Sequence, residues 1–158
     1  MANTQSMCTS FLGELMTATH NFGSSPVRAA ATADTFKAAL YLASATLNAS
    51  TTAYSSTGEV TGTGYTAGGI TVTNATAPAS TNSSTTAGVG YWTPSASLTY
   101  TTVTLTTAFD TVLIYNSTQS NKAVSVHTFG SQTVTAGTFT LTMPSNSTTT
   151  ALLRLATT

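Results

Sequence analysis

Ten side chains in this 158-residue chain carry charge or exchange a proton near neutrality: Glu14, His20, Arg28, Asp34, Lys37, Glu59, Asp110, Lys122, His127 and Arg154. Cys8 adds a single thiol. His127 and Asp110 could serve one of the many serines as a hydrolytic triad. However, no G-x-S-x-G elbow presents a nucleophile, and in a Ser/Thr-rich chain such coincidences are frequent. His127 alternates with Val126 and Thr128 in a strand-like run, so it is expected to face solvent or a subunit contact. Cys8, His20 and His127 lack the clustered spacing of a zinc site, and the four acids lie too far apart for a calcium loop. Gly62-Thr63-Gly64-Tyr65-Thr66-Ala67 fits the dinucleotide pattern G-x-G-x-x-G/A. That motif works only with a strand before it and a helix after it, whose N-terminus holds pyrophosphate. Here Gly68-Gly69-Ile70-Thr71-Val72-Thr73 follows and reads as a strand. The run is therefore expected to be a glycine-rich turn between β elements. The reading is of a protein without catalytic residues, cofactor or metal.

The same scarcity of charge excludes whole classes of partner. Four basic residues are matched by four acids, giving a formal net charge of zero. Nucleic-acid binding requires several Lys or Arg to displace counterions from phosphates, and a membrane-surface helix needs a basic face. No apolar run approaches the roughly 20 residues of a spanning helix, and no basic n-region with an apolar stretch opens the chain. Neither nucleic acid nor membrane is an expected partner, and synthesis in a cytosol is. One cysteine allows no intrachain disulfide, and an inert thiol is expected. Threonine supplies 39 residues; its branched Cβ suits the pleat of half-buried strands. T-x-T triplets invite comparison with ice-binding solenoids, but they lack the fixed repeat that such an array needs. Sheet proteins guard their edges with lysines, prolines and inward charges, whereas this chain has two lysines. Its edges and faces are therefore expected to be covered by neighbours in an assembly.

The elements that would position these residues are mostly strands. Phe11, Leu12, Leu15, Met16 and Thr19 recur at helical spacing behind Ser10 as N-cap, which predicts a helix over 9–20. Asn21 to Pro26 then breaks it. Strands are predicted at 36–42 (where a short helix also fits), 70–73, 98–105, 111–115, 123–129, 138–143 and 151–155. Residues 75–97 read as a long loop, with Trp92 anchoring its end on the core or, together with Tyr91, exposed to a partner or glycan. The fold class is mainly β: an antiparallel, jelly-roll-like β-sandwich with one short N-terminal α-helix. Residues 1–22 form a helical arm and 23–158 a single sandwich domain. The expected partner contacts are Phe11, Leu15 and Met16 on the helix, and Tyr91 and Trp92 beyond it.

Several segments, in order and over nearly the whole chain, resemble a family of small tailed-bacteriophage virion proteins. They are Ser10-Phe11 with His20-Asn21-Phe22, Asp34 to Tyr41, Ser44 to Leu47, Thr52-Ala53-Tyr54, Gly58-Glu59-Val60 and the run 62–69. Leu113 to Asn116, Ser120 to Val124, Phe129-Gly130, Gly137 to Leu141 and Leu152 to Leu155 continue the match. An Arg-Ala pair usual before the L-I-Y-N segment is replaced by Thr111-Val112, and 75–108 departs from the pattern. The resemblance implies a virion structural protein made in a bacterial host, most readily a head decoration or cement protein bound to the major capsid protein. Tail or fibre placement is the alternative, and shell symmetry would favour trimers or dimers. A glycan-binding sandwich, with Tyr91, Trp92 and Tyr100 as sugar platforms, is the rival from a different class.

Overall fold

The stretch 98–141 is dominated by Val, Thr, Leu and Phe, and one polar cluster interrupts it. In the computed structural model, which describes residues 3–16, 18–22, 33–73, 77–81 and 88–156, this stretch is one long hairpin. Strand β6 (Leu98–Asn116) and strand β7 (Lys122–Leu141) meet at a turn in which Ser120 and Asn121 take positive φ angles of 54° and 58°. The ladder slips register at five points, and two residues with left-handed backbone, Thr102 (φ 54°) and Ala136 (φ 45°), sit at such slips. Bulges bend and twist a ribbon. They let β6 bury Leu98, Tyr100, Val103, Leu105 and Phe109 along its length, although it reads as separate strands in sequence.

Around this hairpin the chain builds two antiparallel sheets and almost no helix. Strand β1 (Ser6–Met7) pairs with β7, β2 (Phe36–Leu42) with β6, and β3 (Ile70–Thr71) with β2, giving the order β1-β7-β6-β2-β3. The second sheet has the order β4-β5-β8, from Ala79–Ser80, Val89–Trp92 and Leu153–Ala156. Thus β4 and β5 arise inside the segment read as a loop. The alternative of a short helix at 36–42 gives way to β2, whose alanines at 38 and 39 are both fully buried.

The helix α1 spans Thr9–Met16, shorter than the predicted 9–20. Ala18 takes φ 53°, and the Ala18 and Thr19 amides donate to the Leu15 and Glu14 carbonyls. That is a left-handed helix end built without glycine. Ser10 does not cap: its Oγ is buried with no hydrogen-bond partner. The division at residue 22 also needs correction, because packing does not break there. β1 belongs to the larger sheet, Cys8 and Phe11 lie in the core, and the Phe22 ring stacks 4.3 Å from Phe36. The arm is part of the domain.

The glycine-rich run lies flat across β6 and β2. Thr63 bridges Thr104, and a Cβ on Gly62 would fall 2.0 Å from the Thr104 carbonyl oxygen. Gly69, at φ 71°, brings its backbone against β2 so closely that a Cβ would sit 1.7 Å from the Ala38 oxygen. These glycines permit close backbone approach, and β3 rather than a helix follows them. The run is pinned from beneath by Glu59, a buried carboxylate. It accepts from Tyr54 Oη at 2.6 Å, Tyr65 Oη at 2.8 Å and the Gly68 amide at 2.7 Å. Tyr65 Oη in turn accepts from the Leu40 amide, while Tyr100 and Tyr115 donate to the carbonyls of Ala38 and Gly68. Burial, followed by the Glu59 charge, raises the Tyr100 and Tyr115 hydroxyls above the usual phenol range.

Two outcomes follow from this packing. Glu59→Ala leaves three donors without their acceptor, and each such loss costs about 1–3 kcal/mol. Urea unfolding should show a total loss of roughly 3 kcal/mol or more; a change within ~0.5 kcal/mol, the range of a surface substitution, would contradict the role given to the carboxylate. Deleting residues 1–22 removes β1, takes Phe11 out of the core and strips Phe22 from Phe36 and Trp92. The truncated chain should lose its cooperative thermal transition, and retention of that transition would restore the arm as a separate unit.

Candidate functional site

The residues singled out as contacts come from opposite ends of the chain. Phe11 and Leu15 lie on α1, while Tyr91 and Trp92 end β5. The structure brings these four to the walls of one cleft of about 380 Å³. Phe22, Pro78, Ala79, Leu153 and Leu155 are among the other apolar residues that line it, and His20 and Asn21 add polar groups. Among the described residues no Asp, Glu, Lys or Arg lines it. The side chains of Met16 and Leu12 lie outside the described residues.

Exposure corrects the roles given to two of these residues. Phe11 and Trp92 are only 2% and 3% exposed, so they form the floor of the cleft and are not free contacts. An aromatic cluster holds them: Phe22 lies 4.7 Å edge-on from Trp92, and Phe11 contacts His20 at 4.9 Å and Phe22 at 5.8 Å. Edge-to-face pairs of this kind add about 0.5–1.5 kcal/mol beyond burial. Tyr91 is half-buried, and Leu155, 42% exposed, is the one large exposed hydrophobic among the described residues. Trp92 and Tyr100, with 3% exposure each, present no face on which a sugar could stack. Leu153 and Leu155 were missed in the sequence. Their L-x-L alternation signalled a strand end, but nothing linked it to residues 60 or more positions earlier.

Beneath the cleft a polar network joins α1 to the β6–β7 turn. Glu14 Oε2 lies 2.6 Å from His20 Nε2, and Glu14 Oε1 accepts from Lys122 Nζ at 2.6 Å. Asn116 Oδ1 accepts the amides of Thr118 and Gln119, which fixes the amide so that Nδ2 faces His20 Nδ1 at 3.1 Å. His20 Nδ1 therefore accepts, and Nε2 carries the proton toward Glu14. The second Asn116 proton goes to Asp34 Oδ2 at 2.7 Å, and Asp34 also takes the Asn21 amide and Gln119 Nε2. Burial acts to raise the Glu14 carboxyl, but hydrogen bonds from Lys122 and His20 outweigh it and hold Glu14 below the usual carboxylate value.

The remaining candidates lie apart from this cleft. Asp110 accepts from Asn3 Nδ2 at 2.9 Å and Thr111 Oγ1 at 2.7 Å. His127 Nε2 instead meets Ser125 Oγ at 2.8 Å. Ser125 is 1% exposed, which bars a substrate carbonyl from its hydroxyl. His127 is partly covered rather than open to solvent, and its burial pushes the imidazole down to about 4. Cys8 is fully buried, and burial followed by the nearby Glu14 charge pushes its thiol up to about 11. Among the described residues no three His, Cys, Asp or Glu side chains are placed so that they could hold one metal ion, and no helix is long and apolar enough to cross a membrane. Comparison with protein-family models, curated proteins and solved structures finds no match.

These shifts set the sign of the acid response. His127 is depressed when folded, so the unfolded chain binds more protons between about pH 6.5 and 4, and stability falls as pH drops through that window. Glu14, held low, adds to the loss below its unfolded value. The thermal midpoint should fall steadily from pH 7 to pH 4, and His127→Gln should flatten the upper part of the slope. A midpoint constant between pH 7 and 5 would contradict the burial assigned to His127.

Proposed function

We propose that this chain is a bacteriophage virion structural protein, a capsid decoration or cement protein that acts by binding the major capsid shell and its own neighbours, without catalysis. The observation that carries the reading is the apolar cleft, which gathers residues from α1, β5 and β8 with no charged side chain among the described residues that line it. A surface of this kind serves association through shape and apolar burial, and offers nothing to polarise or cleave a substrate. The resemblance over most of the chain supplies the virion setting. The two sheets are read as the layers of a sandwich, supported by Trp92 of β5 lying 6.2 Å from Phe36 of β2. The β6–β7 hairpin stays within one sheet, which favours a plain antiparallel sandwich over the jelly-roll-like version.

The disposition of charge supports the same function. Each of the four acids accepts hydrogen bonds from its own chain. Adhesion to a shell would then rest on hydroxyls and apolar contact, because exposed ion pairs contribute only about 0–1 kcal/mol. Binding of the purified protein to undecorated particles should change less than about tenfold, or 1.4 kcal/mol, between low and high salt. A steeper fall would place Lys37, Lys122 or Arg154 at the contact, and failure to bind particles at all would overturn the virion reading.

A further inference from the structure

Each sheet edge offers unpaired backbone N–H and C=O groups, and the described edges differ in how they are guarded. β1, β3 and β4 end their sheets with two residues each, too short to template a partner strand, and Pro78 directly precedes β4. The outer flank of β7 is long, but the bulges of its hairpin break it. Short strands and bulges are both protective devices. β8 has neither. It runs four residues in unbroken antiparallel register with β5, from Val89↔Ala156 to Trp92↔Leu153, and among the described residues no strand lies on its other side.

The side chains of β8 agree with that opening. Leu153 and Leu155 line the apolar cleft, and Arg154, between them, points to the opposite face of the sheet by alternation. An isologous contact superposes a patch on itself, so any charge it carried would repel its own copy. Among the described residues the cleft face carries none. Its exposed Leu155 stands at the margin of the cleft that an identical leucine could enter.

Resting on the reading above, we propose that the occupant of this surface is a second copy of the chain. Two β8 strands pair antiparallel across a two-fold axis to give one six-stranded sheet, β4-β5-β8-β8-β5-β4. Leu155 of each copy closes the mouth of the other's cleft, and the two apolar linings become one core. The two Arg154 side chains lie on the far face as the like charges of the contact, so the dimer tightens as salt screens them.

Sedimentation equilibrium of the full chain at micromolar concentration tests this. The expected result is a dimer whose affinity rises modestly with salt and with Arg154→Ser. Leu155→Lys should weaken it at least about tenfold, while Leu155→Met preserves it. Because Leu155 is 42% exposed at the margin of the cleft, both variants should keep a thermal midpoint close to wild type in the monomer, which separates loss of contact from loss of fold. A monomer, a trimer, or a Leu155→Lys protein that dimerises like wild type would overturn the inference. Particle binding distinguishes the two readings: a monomer that still binds undecorated shells defeats the dimer alone, and a dimer that binds none defeats the virion reading alone.

Discussion

The structure depends on carboxylates placed inside a chain that has almost no charge to neutralise them. Glu59 is 6% exposed and meets two tyrosine hydroxyls and a backbone amide, with no cation among those donors. A buried carboxylate is tolerable only when its lone pairs are satisfied, so its position dictates those of Tyr54, Tyr65 and the glycine run. Tyr65 and the neighbouring glycines then fix how closely the 62–69 segment lies on β2 and β6. Asp34 plays the matching part at the other end of the sheet. There it holds the Asn21 backbone, Asn116 and Gln119, and through Asn116 it sets the tautomer of His20. The two clusters do the work of a second core. They join segments distant in sequence, with directional bonds that apolar packing of alanine and valine would not supply.

The cleft follows from the second cluster. His20 and the Asn21 backbone can lie against Phe11 and Phe22 because Glu14 and Asn116 satisfy the His20 ring nitrogens and Asp34 satisfies the Asn21 amide. With those satisfied, Phe22 stacks on Phe36 and reaches Trp92, which carries β5 and with it β8. A chain of contacts thus runs from Glu14 of α1 to the exposed leucine at the edge of the smaller sheet. Loss of Asp34 or Asn116 should therefore be felt in the shape of the cleft as well as in stability.

Legibility in the sequence divides along physical lines. Local signals read correctly: the glycine run is a close-packed turn leading into β3, and Phe36–Leu42 is a strand. The helix was drawn four residues too long because Ala18 supplies a left-handed end that normally announces itself as glycine. β6 and β7 were read in pieces because a bulge interrupts the alternation on which strand reading relies, while the backbone pairing continues through it. β4 is an Ala-Ser pair, of residue types as common in loops as in pleats, and β5, Val-Gly-Tyr-Trp, is only four residues long at the end of a Ser-, Thr- and Ala-rich stretch. Phe11, Leu15, Tyr91 and Trp92 were found as apolar residues outside obvious strands. Their convergence was not legible, because it rests on the polar cluster and on β8, both assembled from distant residues.

Inverting the usual distribution of charge also bears on association. A surface rich in threonine and serine repels identical neighbours little, so copies can approach until short-range contacts decide. Unchecked, that would favour indiscriminate pairing along every open strand. Bulges in the long hairpin and two-residue strands at three edges remove most of those routes without any charge. Among the described residues one short regular edge remains beside an apolar cleft, where the proposed pairing would be limited in extent and would close on itself. In a protein proposed to sit at many equivalent positions on a shell, that restriction matters as much as affinity, because an edge that pairs without limit would polymerise before it could decorate.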